Sequence, residues 1–228
     1  MTVKILTKTF TIPNFRKPVA IVGSPGLRSI GKVAVNLLVK ELKAKLIAEM
    51  YTSNFPILYD TKPSYTSIPG FSGIVGGKVK RGKLRLPTVR FYFTNEPELV
   101  IVKGYHANFE GQYYVAEKVA RSLLKFNVRR IYILAGYAVD GPDVCCAATD
   151  EKLIDEMKKF NLNIGYQGPF MGFSGLVFGM GKIFNIEGIC LFGRTKPNPD
   201  NPQYPDPPAA KAVLSKLDEI LSLNIFRD

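Results

Sequence analysis

The feature that most constrains this chain is a repeated unit in which a short apolar run ends in glycine and gives way to apolar residues at helical spacing. Val19–Gly23 reads VAIVG, and beyond Arg28 the residues Ile30, Val33, Ala34, Leu37, Leu38 and Leu42 recur on one helical face. The expected local structure is a strand, a tight loop and a helix. Residues 46–50 resume as a strand, 99–104 (LVIVKG) read as a buried strand, and 112–126 form an amphipathic pattern through Val115, Val119, Leu123 and Phe126. A strand over 131–135 and a helix over 149–160 follow. That helix opens on Thr149-Asp150-Glu151-Lys152, where a cap candidate and two acids meet the positive end of the helix dipole. Alternation of this kind predicts a three-layer αβα sandwich, with a largely parallel central sheet covered on both faces. No repeat or boundary divides residues 1–228, so one domain is expected.

The remaining segments are more irregular. Between residues 56 and 87 the composition turns to Pro, Gly, Ser and Tyr, which predicts strands or loops projecting from the main sheet. A basic run, Lys78, Lys80, Arg81, Lys83 and Arg85, surrounds an Arg81-Gly82 turn and reads as a β-hairpin excursion. Residues 174–184 form an apolar helix containing Gly175, Gly179 and Gly181. Each glycine costs an exposed helix about 1 kcal/mol relative to alanine, so the helix is expected to be buried with its backbone close to a neighbour. Residues 188–193 (GICLFG) read as the last core strand. The six prolines between 196 and 208 predict a stiff surface loop, and Pro207-Pro208 open a final helix with Ala212, Val213, Leu217, Ile220 and Leu221 on its apolar face.

Charge and cysteine content narrow the function classes. The formal net charge of +12 raises nucleic-acid binding, since clustered cations release counterions from phosphates. The charge is dispersed, however, and the basic run reads more simply as a solubilising edge hairpin. No apolar stretch reaches the roughly 18 residues that span a bilayer, and the N-terminus lacks the pattern of a secretory leader. Cys145, Cys146 and Cys190 have no disulfide or metal spacing, and there is one histidine. A cytoplasmic protein without metal or cofactor is the expectation.

Two constellations merit weighing as sites. Gly26-Leu-Arg-Ser-Ile-Gly31-Lys32 matches the first seven positions of a phosphate-binding P-loop between a strand and a helix. Val33 stands where a magnesium-binding hydroxyl belongs, and neither LVIVKG nor IYILAG ends in an acid, so NTP hydrolysis is excluded as the leading idea. Gly23, Ser24, Gly26 and Gly31 remain an anion-site candidate, against a simpler role in close helix-to-sheet packing. His106 follows the end of a predicted strand, where open α/β sheets place ligands. A hydrolase would pair it with Cys145, Cys146 or Ser174 as nucleophile and Asp140 or Asp143 as orienting acid, with His106, Asp140 and Cys145 the set to test. Adjacent cysteines would point opposite ways if their backbone were extended, and no G-x-S-x-G surrounds Ser174.

Taken in order, Gly23-Ser-Pro-Gly26-Leu-Arg-Ser-Ile-Gly31, Glu49 with Phe55-Pro56, the turn at Gly104, Ala135-Gly136, Ala148-Thr149-Asp150-Glu151, Ser174-Gly175-Leu176, Glu187-Gly188-Ile189-Cys190-Leu191 and the 206–221 segment resemble the proteasome assembly chaperone 2 family, over residues 19–223. The resemblance implies a sandwich similar to the nucleoside phosphorylase fold, homo-oligomers and, in some relatives, help in assembling the 20S proteasome. It makes a chaperone-like protein that binds proteasome subunits or assembly factors the leading expectation, with a phosphate- or nucleoside-handling enzyme as the alternative. Relatives that dock on the proteasome can end in a hydrophobic residue, tyrosine and any residue. This chain ends Phe226-Arg227-Asp228, with arginine at the tyrosine position.

Overall fold

The alternating pattern folds as layers. The computed structural model describes residues 4–52, 78–106, 111–138, 140–141, 143–170 and 172–226. In chain order the elements are β1 (Ile5–Thr9), β2 (Val19–Gly23), α1 (Ile30–Glu41), β3 (Lys45–Thr52), β4 (Lys78–Lys80), β5 (Lys83–Arg85), β6 (Val89–Asn95) and β7 (Glu98–Lys103). They continue with α2 (Gln112–Lys125), β8 (Arg130–Tyr137), β9 (Val144–Ala148), α3 (Glu151–Lys158), α4 (Gly172–Ile183), β10 (Glu187–Arg194) and α5 (Pro207–Leu221). The Phe55-Pro56 pair, most of the 56–87 stretch and Arg227-Asp228 lie outside the described residues.

Among the described residues eight strands form one sheet in the order β1-β3-β6-β7-β2-β8-β10-β9. The parallel pairing expected from the sequence holds for the four central strands, β7-β2-β8-β10. The flanks are antiparallel, which makes the sheet mixed. Chain length explains one of these antiparallel pairs, β6–β7. Only Glu96 and Pro97 separate β6 from β7, and a two-residue link can only reverse the chain, whereas β7 reaches β8 through the crossover helix α2.

Period-two alternation then divides the apolar residues between two cores. Val22, Val100, Val102, Ile133 and Cys190 face α2 and α4, packing with Val119, Leu123, Phe173 and Val177. Ile21, Ile101, Tyr132, Leu134 and Leu191 face the other way, toward α1, α3 and α5, packing with Leu38, Met157, Val213 and Leu217. Each fully buried aliphatic side chain contributes about 1.5–3 kcal/mol. Cys145 and Cys146 fall in opposite cores, as neighbours on a strand must. The α3 cap is Asp150, whose carboxylate accepts from Lys152 N at 2.9 Å. Asp206 does the same for α5, accepting from Ala209 N at 3.1 Å ahead of the proline pair.

Two expectations need correction. The α4 helix buries one side only. Its Gly175 does press on the Phe170 backbone, but a β-carbon on Gly179 would meet nothing within 4 Å, so close packing does not account for all three glycines. The basic hairpin forms as read, with Arg81 and Gly82 at φ of 51° and 71°, the left-handed pair a tight two-residue turn needs. It is, however, a separate two-stranded sheet, so its lysines do not guard an edge of the main sheet. No helix among the described residues is long and apolar enough to cross a membrane.

Candidate functional site

The carboxyl ends of the parallel strands open into several clefts, one of about 750 Å³ lined by Asp140, Asp143, Arg194, Lys196 and Asp206, and the turn after β2 borders a first, more apolar one. Arg28 and Ser29 both have left-handed backbones, at φ of 51° and 50°. Such conformations in non-glycine residues cost of order 1–3 kcal/mol each and persist only where the surroundings impose them. The proline-rich loop imposes them here. Arg28 N donates to Pro202 O at 2.7 Å, and Asp206 N donates to Arg28 O at 2.9 Å. The Arg28 guanidinium donates to Tyr204 O and Lys196 O, and Ser29 Oγ donates to Gln203 O. Donors of the P-loop-like segment thus serve carbonyls of the protein itself.

This cleft has a volume of about 530 Å³ and holds Ser24 and Ser174 beside a set of rings. Ser24 Oγ and Ser174 Oγ are 2.7 Å apart, both residues buried. The rings of Tyr166 and Phe170 lie 5.3 and 5.0 Å from that of Phe192, centroid to centroid. Among the described residues that line it, none carries a carboxylate, ammonium, guanidinium or imidazole. The cleft can receive an apolar or aromatic group and offer it hydroxyls. Among its described lining residues no side chain titrates near neutral pH.

The candidate catalytic residues have separate settings. Cys145 is fully buried in β9, where its thiol is held up mainly by burial and its partners are Tyr137 and the backbone at Gly165 and Tyr166. Burial, and then Cys145, push the Tyr137 phenol up to about 12. Cys146 is likewise buried and pushed up to about 11. The Gln203 side-chain amide donates to His106 Nε2 at 2.9 Å, at the rim of the first cleft. Asp140 is exposed, and Asp143 beside it pairs with Arg194 at 2.9 Å. Ser174, the other nucleophile considered, is brought to a second hydroxyl rather than to a base. Of the anion-site set, Ser24, Gly26 and Gly31 border the cleft, and Gly23 lies behind them at the end of β2. Among the described residues no three His, Cys, Asp or Glu side chains are grouped to hold a metal ion.

The second cleft was not anticipated. Its volume is about 250 Å³, and Lys32, Lys80, Arg85, Arg90 and Lys103 line it together with Gly104 and Tyr105. Lys103 ends the apolar run of β7, and a charged residue closing LVIVKG was the available signal. The Lys32, Arg90 and hairpin contributions come from elements far apart in sequence, which no local pattern joins.

A layered α/β domain with a mixed central sheet and clefts at the ends of its parallel strands is the class the fold defines, and comparison places it. Residues 20–227 match the PAC2 family, and the chain belongs to that family. It is similar to the crystal structure of Pyrococcus furiosus PbaB, an archaeal proteasome activator, with 28% identity, a TM-score of 0.75 and coverage of 96% of this chain and 89% of that one. It shares the fold of Pyrococcus furiosus PbaA, an archaeal homolog of proteasome-assembly chaperone, at 22% identity and a TM-score of 0.73, covering 98% and 87% of the two chains. An uncharacterised protein of Methanocaldococcus jannaschii is 28% identical over 98% of this chain and 81% of its own length.

Proposed function

We propose that this chain is a chaperone-like binding protein that engages protein partners, proteasome subunits or assembly factors among them, as a homo-oligomer. Family membership and the likeness to PbaB support a chaperone-like role. The observation that carries the reading is the β4–β5 hairpin. Val79 and Leu84 are cross-strand partners on it, yet they are 68% and 67% exposed, and Leu86 beside them is also open. A two-stranded sheet gains little from presenting apolar pairs to water, whereas an interface gains from burying them. The three free, buried cysteines suit work in the reducing cytoplasm.

The alternative, a phosphate- or nucleoside-handling enzyme with a strand-end cleft, is the weaker reading. The kinship with nucleoside phosphorylases implied by the resemblance would lend it a scaffold. Among the described residues that line the first cleft none is an acid or base, and Cys145 is buried. The test is native gel electrophoresis with the α subunits of the 20S proteasome from the same organism, alongside size-exclusion chromatography with light scattering. A retarded complex at micromolar concentration and a mass above the 25.3 kDa monomer are expected. The reading fails if no complex forms while control partners bind.

A further inference from the structure

In the antiparallel pair β6–β7, Arg90 and Lys103 stand directly opposite each other. Like charges in that position repel, and a sheet normally avoids them. On its other side Arg90 faces Glu49 of β3, whose carboxylate accepts from Arg90 Nε at 2.8 Å and also from the Tyr51 hydroxyl. Glu49 therefore offsets one positive charge of the row. Lys32 arrives from the first turn of α1, and Lys80 and Arg85 from the two strands of the hairpin, so that five cationic side chains surround one small cavity.

We propose that this cleft is a binding site for a compact, multiply charged phosphate, of which pyrophosphate is the simplest probe. Size and charge density select this class. The cavity of about 250 Å³ falls below the roughly 300 Å³ at which pockets for drug-sized ligands begin. Its occupant must therefore concentrate negative charge in a few atoms. An acidic peptide spreads its carboxylates along a chain at about 3.3 Å per residue, and most would fall outside. Two guanidinium groups, Arg85 and Arg90, add the planar donor pairs that suit phosphate oxygens. Burial, followed by Arg90, Lys32, Lys80 and Arg85, lowers the Lys103 pKa to about 8. An anion between these groups would reverse that effect and favour the protonated ammonium of Lys103. The site takes Lys32 from the end of the P-loop-like motif but none of Gly23, Ser24, Gly26 or Gly31, and it does not depend on the chaperone reading.

The experiment is isothermal titration calorimetry of pyrophosphate into the full chain at low salt. Saturable binding is expected, at least tenfold weaker in Lys103→Met and in the Lys80→Ser/Arg85→Ser hairpin variant. The hairpin variant covers the case in which Lys103→Met misfolds. Lys182→Ser, an exposed change on α4, should bind like the wild type. Absence of saturable heat overturns the proposal. So does equal affinity in the hairpin variant, or binding of hexaglutamate in the absence of pyrophosphate binding.

Discussion

Gly31 lies so close to Leu134 that a β-carbon on the glycine would fall well inside 3.0 Å of the Leu134 carbonyl oxygen. The contact presses the first turn of α1 onto β8, and it assigns Gly31 a packing role that needs no ligand. At Gly26, five residues earlier in the same P-loop-like motif, an added β-carbon would meet nothing within 4 Å, and the backbone is extended. Gly31→Ala should therefore destabilise the fold by about 1–3 kcal/mol, the usual cost of overpacking, while Gly26→Ala stays within about 0.5 kcal/mol of the wild type. Urea denaturation measures both. Equal losses at the two positions would contradict the packing account.

The hydroxyl pair Ser24–Ser174 joins the turn after β2 to the first turn of α4, 150 residues away in sequence. Replacing either serine by alanine strands the other hydroxyl in a buried place, at a cost of about 1 kcal/mol. The double variant should cost less than the two single changes together. A double-mutant cycle reads the coupling directly, and strict additivity would show that the two hydroxyls do not depend on each other.

The cysteines should be chemically silent in the folded protein. Cys190 is pushed well up by burial, Cys146 up to about 11, and Cys145 is raised mainly by burial as well. Thiolate is the reactive form, and burial also denies access to reagent. A thiol-specific colorimetric reagent at pH 8 should find no rapidly reacting group in the native chain, and three groups once it is unfolded. Fast native labelling of Cys145 would reopen its candidacy as a nucleophile.

Lys103 makes stability depend on pH in a defined direction. Its folded pKa of about 8 lies below the ordinary 10.5, so the unfolded chain holds that proton more tightly. The resulting penalty is present in full below about pH 8 and disappears as the pH rises toward 10.5. The groups facing it are Arg90, Lys32, Lys80 and Arg85, with Glu49 acting on Arg90. Without added anion, Lys103→Met should melt at a higher temperature than the wild type at pH 7, and the advantage should shrink by pH 10. Melts that keep the same difference at both pH values would place the charge of Lys103 in water.

Much of the architecture was legible because secondary structure is encoded in short-range periodicity. Helical spacing marked α1, α2 and α5, and Arg81-Gly82 announced the hairpin tip. The prolines between 196 and 208 likewise declared an irregular loop. Local pattern carries no information about which distant segments meet. Strand order placed β2 between β7 and β8, and that choice brought Ser24 to Ser174 and drew the proline-rich loop over Arg28. The same pairing set Arg90 against Lys103, and packing of the hairpin added Lys80 and Arg85. Periodicity along the chain by itself marked the five helices and the four central strands, but not β1, β6 or β9. Pairing register and burial, which depend on all the segments at once, decided where their charges and hydroxyls converge.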